Sequence, residues 1–314
     1  MCPFSPDSKS WLVADIGGTN SRCAVLQGPF APAHKLRFFR NADYPDLAAL
    51  LRTYLADFGE NRPRRAALAV AAPIHGDDIR MINLDWAFSK SALAKQLGFD
   101  FISIINDFES VAYGLPAFRE EDLELVGPVL PVVRGNRAVL GAGTGLGVAG
   151  WIESGSCSAV VRGEGGHMTL AARNAAEADL IAKFRDLYGH CSAERVLSGN
   201  GLIDLHLVMH GEKVAVAEHI TGGTDARSRA TMQQFFNFFA DIAGDVALVL
   251  GAVGGVYIAG GIITDNVKLF RLSGFRERFE DKGRYSNYLG RIPTWVITNR
   301  TPGIRGLSAY IDTL

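Results

Sequence analysis

Two glycine-rich segments contain the residues best suited to bind phosphate. The first is residues 15–20 (DIGGTN), which follow an apolar run, and the second is residues 141–147 (GAGTGLG). Glycine has no Cβ, so the backbone amides of such segments can approach an anion closely. Thr19 and Asn20 add side-chain donors, and Asp15 can hold Mg²⁺ directly or through water. An ordinary hairpin turn also suits the first segment, so its letters alone leave both interpretations open.

The second glycine segment resembles three other phosphate-binding loops, each of which needs a context that is missing. Residues 145–150 (GLGVAG) match the dinucleotide pattern G-x-G-x-x-G, but that pattern must open a helix, whereas residues 148–152 (VAGWI) indicate a strand. No His-Arg-Asp or Asp-Phe-Gly segment follows, as a protein kinase would require. The chain also lacks the Gly-Lys-Ser/Thr of a Walker A loop. We therefore expect a phosphate-binding hairpin of another fold.

A polar pair follows directly on the apolar residues 101–105, which indicate a buried strand. In α/β proteins, ligand-binding groups lie at the carboxyl ends of strands. Asp107 can accept a hydroxyl proton there while Asn106 binds a neighbouring hydroxyl, as a sugar substrate would need. The alternative is that Asp107 caps a helix starting at Phe108.

Two further segments contain side chains that suit the hydroxyl pairs of a hexose. Residues 163–167 (GEGGH) place Glu164 and His167 three positions apart, and Glu194 precedes residues 195–199 (RVLSG). Carboxylates and imidazoles bind groups that both give and accept hydrogen bonds. A metal site is less well supported, because two ligands without a third at regular spacing are not a strong site. A solvated surface loop remains the other interpretation.

These segments must be positioned by alternating strands and helices, a pattern that predicts an α/β fold. Hairpins are expected around Gly18-Thr19 and Gly143-Thr144, which suggests two copies of one supersecondary plan. The main predicted strands are residues 11–14, 23–26, 65–72, 101–105, 138–141, 148–152 and 256–259. The predicted helices are residues 44–58, 89–97, 175–188, 201–210 and 229–250, the last with an apolar stripe that includes Phe235 and Phe239.

Length and composition set further bounds. The 314 residues favour two lobes, and 32 Lys+Arg against 33 Asp+Glu provide no field that would collect nucleic acid or a membrane surface. The four cysteines form no CxxC pair and no zinc spacing, and the start has no signal pattern, so we expect a reduced, cytoplasmic protein. Residues 246–264 are uncharged but contain five glycines, which indicates a helix, turn and strand rather than a membrane span.

Six segments in chain order resemble the motifs of the bacterial glucokinase family, within the hexokinase, Hsp70 and actin superfamily. Residues 12–20 and 141–147 look like the two phosphate motifs, 105–108 like the sugar and base motif, 163–167 and 194–199 like the sugar loops, and 255–261 like the adenosine motif. The resemblance covers nearly the whole chain. Related repressor-type sugar kinases usually carry a cysteine-rich zinc motif after the Gly-Gly-His loop, and here only Cys191 lies nearby.

The resemblance implies two lobes of the duplicated ribonuclease H-like (actin/hexokinase-type) α/β fold with an interlobe cleft. The small lobe is expected to contain residues 1–107 and 300–314, and the large lobe residues 108–299. The implied activity is ATP-dependent phosphorylation of glucose to glucose 6-phosphate, with Asp107 as the general base and the lobes closing over the sugar. A kinase for another hexose, or a non-catalytic sugar sensor, is the alternative.

The resemblance also implies a set of site residues and partners. Those expected to hold glucose are Asn106, Asp107, Glu164, His167 and Glu194, with Asn83 in a small-lobe loop. Those expected to bind ATP are Asp15, Gly17, Gly18, Thr19, Asn20, Gly143, Thr144, Gly145, Gly260 and Gly261. Mg²⁺ is expected at Asp15, and a homodimer is what the family suggests.

Overall fold

The computed structural model describes residues 10–82 and 84–314. Contacts between Cα atoms divide the chain into two units. The first contains the residues up to Phe118 together with Asn299–Leu314, and the second is Arg119–Thr298. Strands and helices alternate through both, so the predicted mixed α/β class is confirmed.

Strands are numbered β1–β13 in chain order. Their bounds are β1 Trp11–Ile16, β2 Asn20–Leu26, β3 His34–Arg40, β4 Arg65–Val70, β5 Asp78–Arg80, β6 Ala87–Ser89, β7 Phe101–Asn106, β8 Leu123–Leu125, β9 Arg137–Ala142, β10 Leu146–Ser154, β11 Cys157–Gly163, β12 Val256–Ala259 and β13 Thr294–Ile297.

The α-helices are numbered in the same way. Their bounds are α1 Leu47–Leu55, α2 Lys90–Leu97, α3 Asp107–Gly114, α4 Ala175–Tyr188, α5 Ala193–Val196, α6 Gly199–His210, α7 Glu218–Thr221, α8 Ala226–Leu250, α9 Gly261–Thr264, α10 Val267–Arg271, α11 Phe275–Glu280, α12 Ser286–Leu289 and α13 Pro302–Tyr310.

The first unit is built on a sheet with the order β3-β2-β1-β4-β7. Strands β1, β2 and β3 pair antiparallel, whereas β4 and β7 continue the sheet parallel to β1. Both faces of β1 are buried. Leu12 and Ala14 belong to a cluster that includes residues of α1 and α2, and Trp11 and Val13 pack in a cluster with residues of α13. This double burial explains the continuous apolar run in β1.

Helices α3 and α13 of the first unit cross at two glycines. A Cβ on Gly306 would overlap the carbonyl oxygen of Ser110, and one on Gly114 would lie 3.3 Å from the Gly306 backbone. Only glycine permits so close an approach of two helix backbones. Because this contact ties α3 to the C-terminal helix, the division between the units falls after Phe118, later than the boundary after Asp107 expected from the sequence.

The second unit repeats the strand plan of the first. Its sheet has the order β11-β10-β9-β12-β13-β8, in which β9, β10 and β11 pair antiparallel and β12 and β13 continue parallel to β9. Strand β8 is an antiparallel addition at the edge. The expected stripe of α8 is confirmed as core, since Phe235 and Phe239 are fully buried.

The uncharged residues 246–264 form the end of α8, a turn and strand β12, as the sequence predicted, and then helix α9 where a turn was expected. Within the described residues, no helix is both long and apolar enough to cross a membrane.

Candidate active site

The tip of the first glycine hairpin is held by a buried asparagine. Strands β1 and β2 are joined by residues 17–19, where the Gly17 N–H donates to the Asn20 carbonyl at 3.0 Å. Asn41 donates from Nδ2 to the Gly17 carbonyl at 2.8 Å and from its backbone N–H to the Thr19 carbonyl at 2.9 Å, while Ser21 Oγ donates to Asn41 Oδ1 at 2.6 Å. Asn41 lies in a short 3₁₀ turn and belongs to no recognisable motif, so its role could not be predicted from the sequence.

Asp15 lies on β1 just before this hairpin. Its Oδ2 is 3.3 Å from Nη1 of Arg22, which stands opposite on β2. The carboxylate also touches the start of α13, because a Cβ on Gly303 would come within 2.7 Å of Asp15 Cγ. Burial raises the pKa of Asp15, and the neighbouring Arg22 guanidinium opposes that rise.

These surroundings fit the predicted Mg²⁺ at Asp15. A cation would offset the cost of burying the carboxylate charge, and since Arg22 engages Oδ2, the carboxylate can meet a hydrated cation with Oδ1. In residues 10–82 and 84–314, no three His, Cys, Asp or Glu side chains are grouped to hold a metal. Mg²⁺ usually binds through one or two carboxylates together with substrate phosphates and water, which is consistent with a single Asp15.

The Asn106-Asp107 pair stands where β7 runs into α3. Asn106 has an extended backbone and its Oδ1 accepts the N–H groups of Phe108 and Glu109 at 2.9 and 3.2 Å, so Asn106 is the N-cap. The alternative that Asp107 is the N-cap of a helix starting at Phe108 is not what the structure shows, because α3 starts at Asp107 itself, although Asp107 Oδ1 also accepts the Phe108 N–H at 2.9 Å. Asn106 Nδ2 also donates to the Ala72 carbonyl at 3.3 Å.

In the second unit, the tip between β9 and β10 is held by backbone contacts. The Gly143 N–H donates to the Gly145 carbonyl, and the Gly199 N–H at the start of α6 donates to the Gly143 carbonyl, both at 2.8 Å. The segment after the tip is strand β10, as predicted, which excludes a dinucleotide-binding turn into a helix.

Glu194 is in direct contact with this second hairpin. Its Oε2 accepts the Leu146 N–H at 2.8 Å, and a Cβ on Gly145 would lie only 2.5 Å from the same oxygen. Its Oε1 is 3.9 Å from Nε2 of His167, whose side chain is half exposed. The structure therefore brings two predicted sugar residues beside a predicted phosphate residue, within one unit.

The loop that carries His167 is packed on the same strand. A Cβ on Gly166 would overlap the carbonyl oxygen of Leu146, so this position requires glycine. Glu164 begins the turn, and its carbonyl accepts the His167 N–H at 3.0 Å. The side chain of Glu164 is exposed and lies in the same loop as His167.

The glycines expected near adenosine lie close to the second hairpin. Gly260 follows β12 with φ of 88°, and a Cβ there would overlap the carbonyl oxygen of Ala142, the residue before Gly143. Gly261 then begins α9. Asn83 lies outside the described residues, while Trp86 is buried in the core of the first unit.

The fold of this chain is also found among solved structures. The fold matches a glucokinase from Balamuthia mandrillaris, described in complex with glucose, with a TM-score of 0.81 at 21% identity, covering 98% of this chain and 94% of that one. The two chains therefore share their fold.

Sequence similarity identifies the family of the chain. The glucokinase family model matches residues 12–314. A glucokinase from Tolumonas auensis is 39% identical over 309 residues, covering 96% of each chain. The solved glucokinase from an Antarctic psychrotroph is 33% identical with a TM-score of 0.84, covering 98% of this chain and 99% of that one. The chain belongs to the glucokinase family.

Proposed function

We propose that this chain transfers the γ-phosphoryl group of ATP to the 6-hydroxyl of glucose with Asp107 as the general base. Glucokinase activity with ATP as donor is the activity of its family. The assignment of the base is carried by one observation: Asn106 caps α3, so the carboxylate of Asp107 is not required as the cap. At neutral pH an aspartate with an ordinary pKa of about 3.9 is ionised and can accept the hydroxyl proton as the O–P bond forms.

The two glycine hairpins are assigned to the phosphates of ATP. Phosphoryl transfer depends mainly on positioning and on charge neutralisation, because little covalent help is needed. Fixed tips provide the first requirement: Gly17, Gly18, Thr19 and Asn20 in one unit, and Gly143, Thr144 and Gly145 in the other. Gly260 and Gly261 are assigned to adenosine. Mg²⁺ held by Asp15 would neutralise phosphate charge.

Glucose is assigned to Asn106, Asp107, Glu164, His167 and Glu194, and to Asn83. The proximity of Glu194 to His167 supports a shared hydroxyl ligand, since carboxylate oxygens accept and an imidazole can donate or accept. Asn106 has less capacity to bind glucose than the sequence suggested, because both of its polar side-chain atoms already form hydrogen bonds with the backbone.

The finer features of the fold and its setting are also proposals. The shared strand order of the two sheets supports a duplicated ribonuclease H-like fold of the actin/hexokinase type. Closure of the two lobes over glucose, a homodimer, a cytoplasmic location and the absence of nucleic-acid partners stay predictions.

A coupled assay of ADP release with glucose, mannose and fructose tests the proposed reaction. We expect glucose to support turnover best and Asp107→Asn to abolish most of it. Preferred turnover of another hexose would reassign the substrate. Glucose binding without ADP release in the wild-type chain would identify a sugar sensor instead of a kinase.

A further inference from the structure

The buried side chain of Asn41 is placed to set the direction of a backbone amide in the first hairpin. Asn41 is 1% exposed. Its Nδ2 donates to the Gly17 carbonyl at 2.8 Å, and this assignment of the amide is fixed because a carbonyl can only accept. Its Oδ1 receives the Ser21 hydroxyl at 2.6 Å, so the amide group is held from both sides.

Peptide geometry passes this constraint to Gly18. The described chain contains no cis peptide bond, so the N–H of Gly18 points opposite to the carbonyl of Gly17. The backbone N–H of Asn41 also donates to the carbonyl of Thr19 at 2.9 Å. With the Gly17 carbonyl directed towards Asn41, the Gly18 N–H is directed away from Asn41. The next residues of the tip, Thr19 and Asn20, are exposed.

We infer that Asn41 is a positioning residue for nucleotide binding, which aims the Gly18 amide at a phosphate of ATP without touching the nucleotide. The inference rests on the proposed role of the Gly17–Thr19 hairpin in phosphate binding. A tip that is already fixed before ATP arrives loses less conformational entropy on binding, so its hydrogen bond to the phosphate contributes more of its strength to affinity. Loss of the Asn41 amide frees the peptide between Gly17 and Gly18 to rotate.

The second unit offers a matched asparagine for the control. Asn136 donates from Nδ2 to the Leu250 carbonyl at 2.8 Å and accepts the Glu153 N–H at 3.0 Å. Like Asn41, it donates from Nδ2 to a backbone carbonyl and accepts one bond through Oδ1, but it precedes β9 and lies at the opposite end of that strand from the Gly143 tip. Asn136→Ala reproduces the loss of a backbone-bridging amide without altering either hairpin.

The experiment measures the dissociation constant of ATP and the KM values of ATP and glucose for the full chain and four variants: Asn41→Ala, Ser21→Ala, Asn136→Ala and Thr19→Ala. For Asn41→Ala we expect ATP affinity to fall by about three- to tenfold, the equivalent of one net hydrogen bond, with the glucose KM unchanged. Ser21→Ala should produce a smaller loss of the same kind, since Nδ2 still reaches Gly17. Asn136→Ala should leave both constants unchanged.

The outcomes separate this inference from the function on which it rests. If Thr19→Ala weakens ATP binding while Asn41→Ala does not, the hairpin binds phosphate and Asn41 is only structural. If neither variant affects ATP binding, the assignment of the hairpin to phosphate is itself wrong. Equal losses in Asn41→Ala and Asn136→Ala, or an equal rise in the KM of glucose, would show general destabilisation and overturn the inference.

Discussion

The two glycine hairpins share a strand topology, yet their tips are held by different groups. In the first unit the carbonyl of Gly17 accepts a hydrogen bond from the side chain of Asn41. In the second, the carbonyl of Gly143 accepts one from the backbone N–H of Gly199. The same strand topology thus allows the tip carbonyl to be bound by a side chain in one unit and by the backbone at the start of a helix in the other. Only the side-chain bond can be removed by a single substitution.

The carboxylates beside the two hairpins also differ, in where they come from along the chain and in what they contact. Asp15 belongs to the strand that enters its hairpin, lies beside Arg22 and has a side chain that is only 13% exposed. Glu194 comes from a segment 48 residues away, is partly exposed, and touches both the hairpin at Leu146 and the sugar loop at His167. We therefore expect substitutions at the second hairpin that displace Glu194 to affect sugar and nucleotide together, and substitutions at the first hairpin to affect the nucleotide alone.

The largest effect is expected at Asp107, which belongs to neither hairpin. Asp107→Asn retains the shape of the side chain but cannot accept a proton, so kcat should fall by roughly 10²- to 10⁴-fold. Thermal stability should change little, because Asn106 caps α3. The assay is ADP release under saturating glucose and ATP.

Asp46→Asn is the matched control for the base. Asp46 caps α1 by accepting the Ala49 N–H at 2.7 Å, and asparagine caps about as well as aspartate, so both activity and stability should be retained. Near-normal turnover in Asp107→Asn would rule out Asp107 as the base and require another proton acceptor.

The next effect tests the coupling at the second hairpin. In Gly145→Ala the new methyl group would meet Glu194 Oε2 at 2.5 Å, so either the carboxylate or the tip must move. We expect the KM values of glucose and ATP to rise together, with a loss of stability of about 1–3 kcal/mol from overpacking. Steady-state kinetics with each substrate varied in turn, together with urea unfolding, measure both effects.

Gly143→Ala provides the contrast within the same tip. No atom lies within 4 Å of a Cβ built at Gly143, so stability should be unchanged. If a phosphate approaches this backbone, the KM of ATP should still rise while that of glucose does not. A rise in the ATP value alone for Gly145→Ala would contradict the proposed link through Glu194.

The pattern of apolar and polar residues predicted the buried helices and strands better than the strands at the edges of the sheets. Helix α4 and strand β12 were predicted with their observed bounds, because α4 is flanked by its N-cap Asn174 and by Gly189 and β12 is continuously apolar. The edge strands β3 and β11 were missed. Most of their side chains are exposed, so neither the alternation of a half-buried strand nor the apolar run of a central one marks them.

The candidate site was limited by what a linear motif can encode. Asn106 and Asp107 are both good caps, and only the extended backbone at Asn106 decides between them. The contact of Glu194 with Leu146 joins two distant segments, which spacing alone cannot reveal. The roles of Asp107, the sugar residues and the hairpins stay predictions until they are measured.

A moderate effect confined to the sugar is expected for the loop of the second unit. His167→Ala and Glu164→Gln each remove part of the proposed glucose contacts, so the KM of glucose should rise by about three- to tenfold, the equivalent of one hydrogen bond. The KM of ATP should change less. His190→Ala is the control, since His190 bonds Thr169 in the same unit and has no proposed ligand. Equal changes for both substrates would place this loop at the nucleotide.

The smallest effect is expected at the first hairpin, where Asp15→Asn should change the free energy of unfolding. Burial is the largest influence on the pKa of Asp15 and raises it above the unfolded value of about 3.9. The folded state then binds this proton more tightly than the unfolded state, so the stabilising contribution is full below the unfolded pKa and is lost as the pH rises through the folded pKa. Asparagine has no charge to bury, so the variant should be the more stable protein at neutral pH.

Urea unfolding between pH 4 and 8 measures this difference between Asp15→Asn and the wild type. The advantage of the variant should grow with pH and then level off. A variant less stable than the wild type at pH 7 would show that the Arg22 ion pair outweighs the cost of burial. In that case Asp15 would be a structural residue. If the variant is instead more stable but binds Mg²⁺ and ATP more weakly, the first unit retains a destabilising charge because the cation requires it.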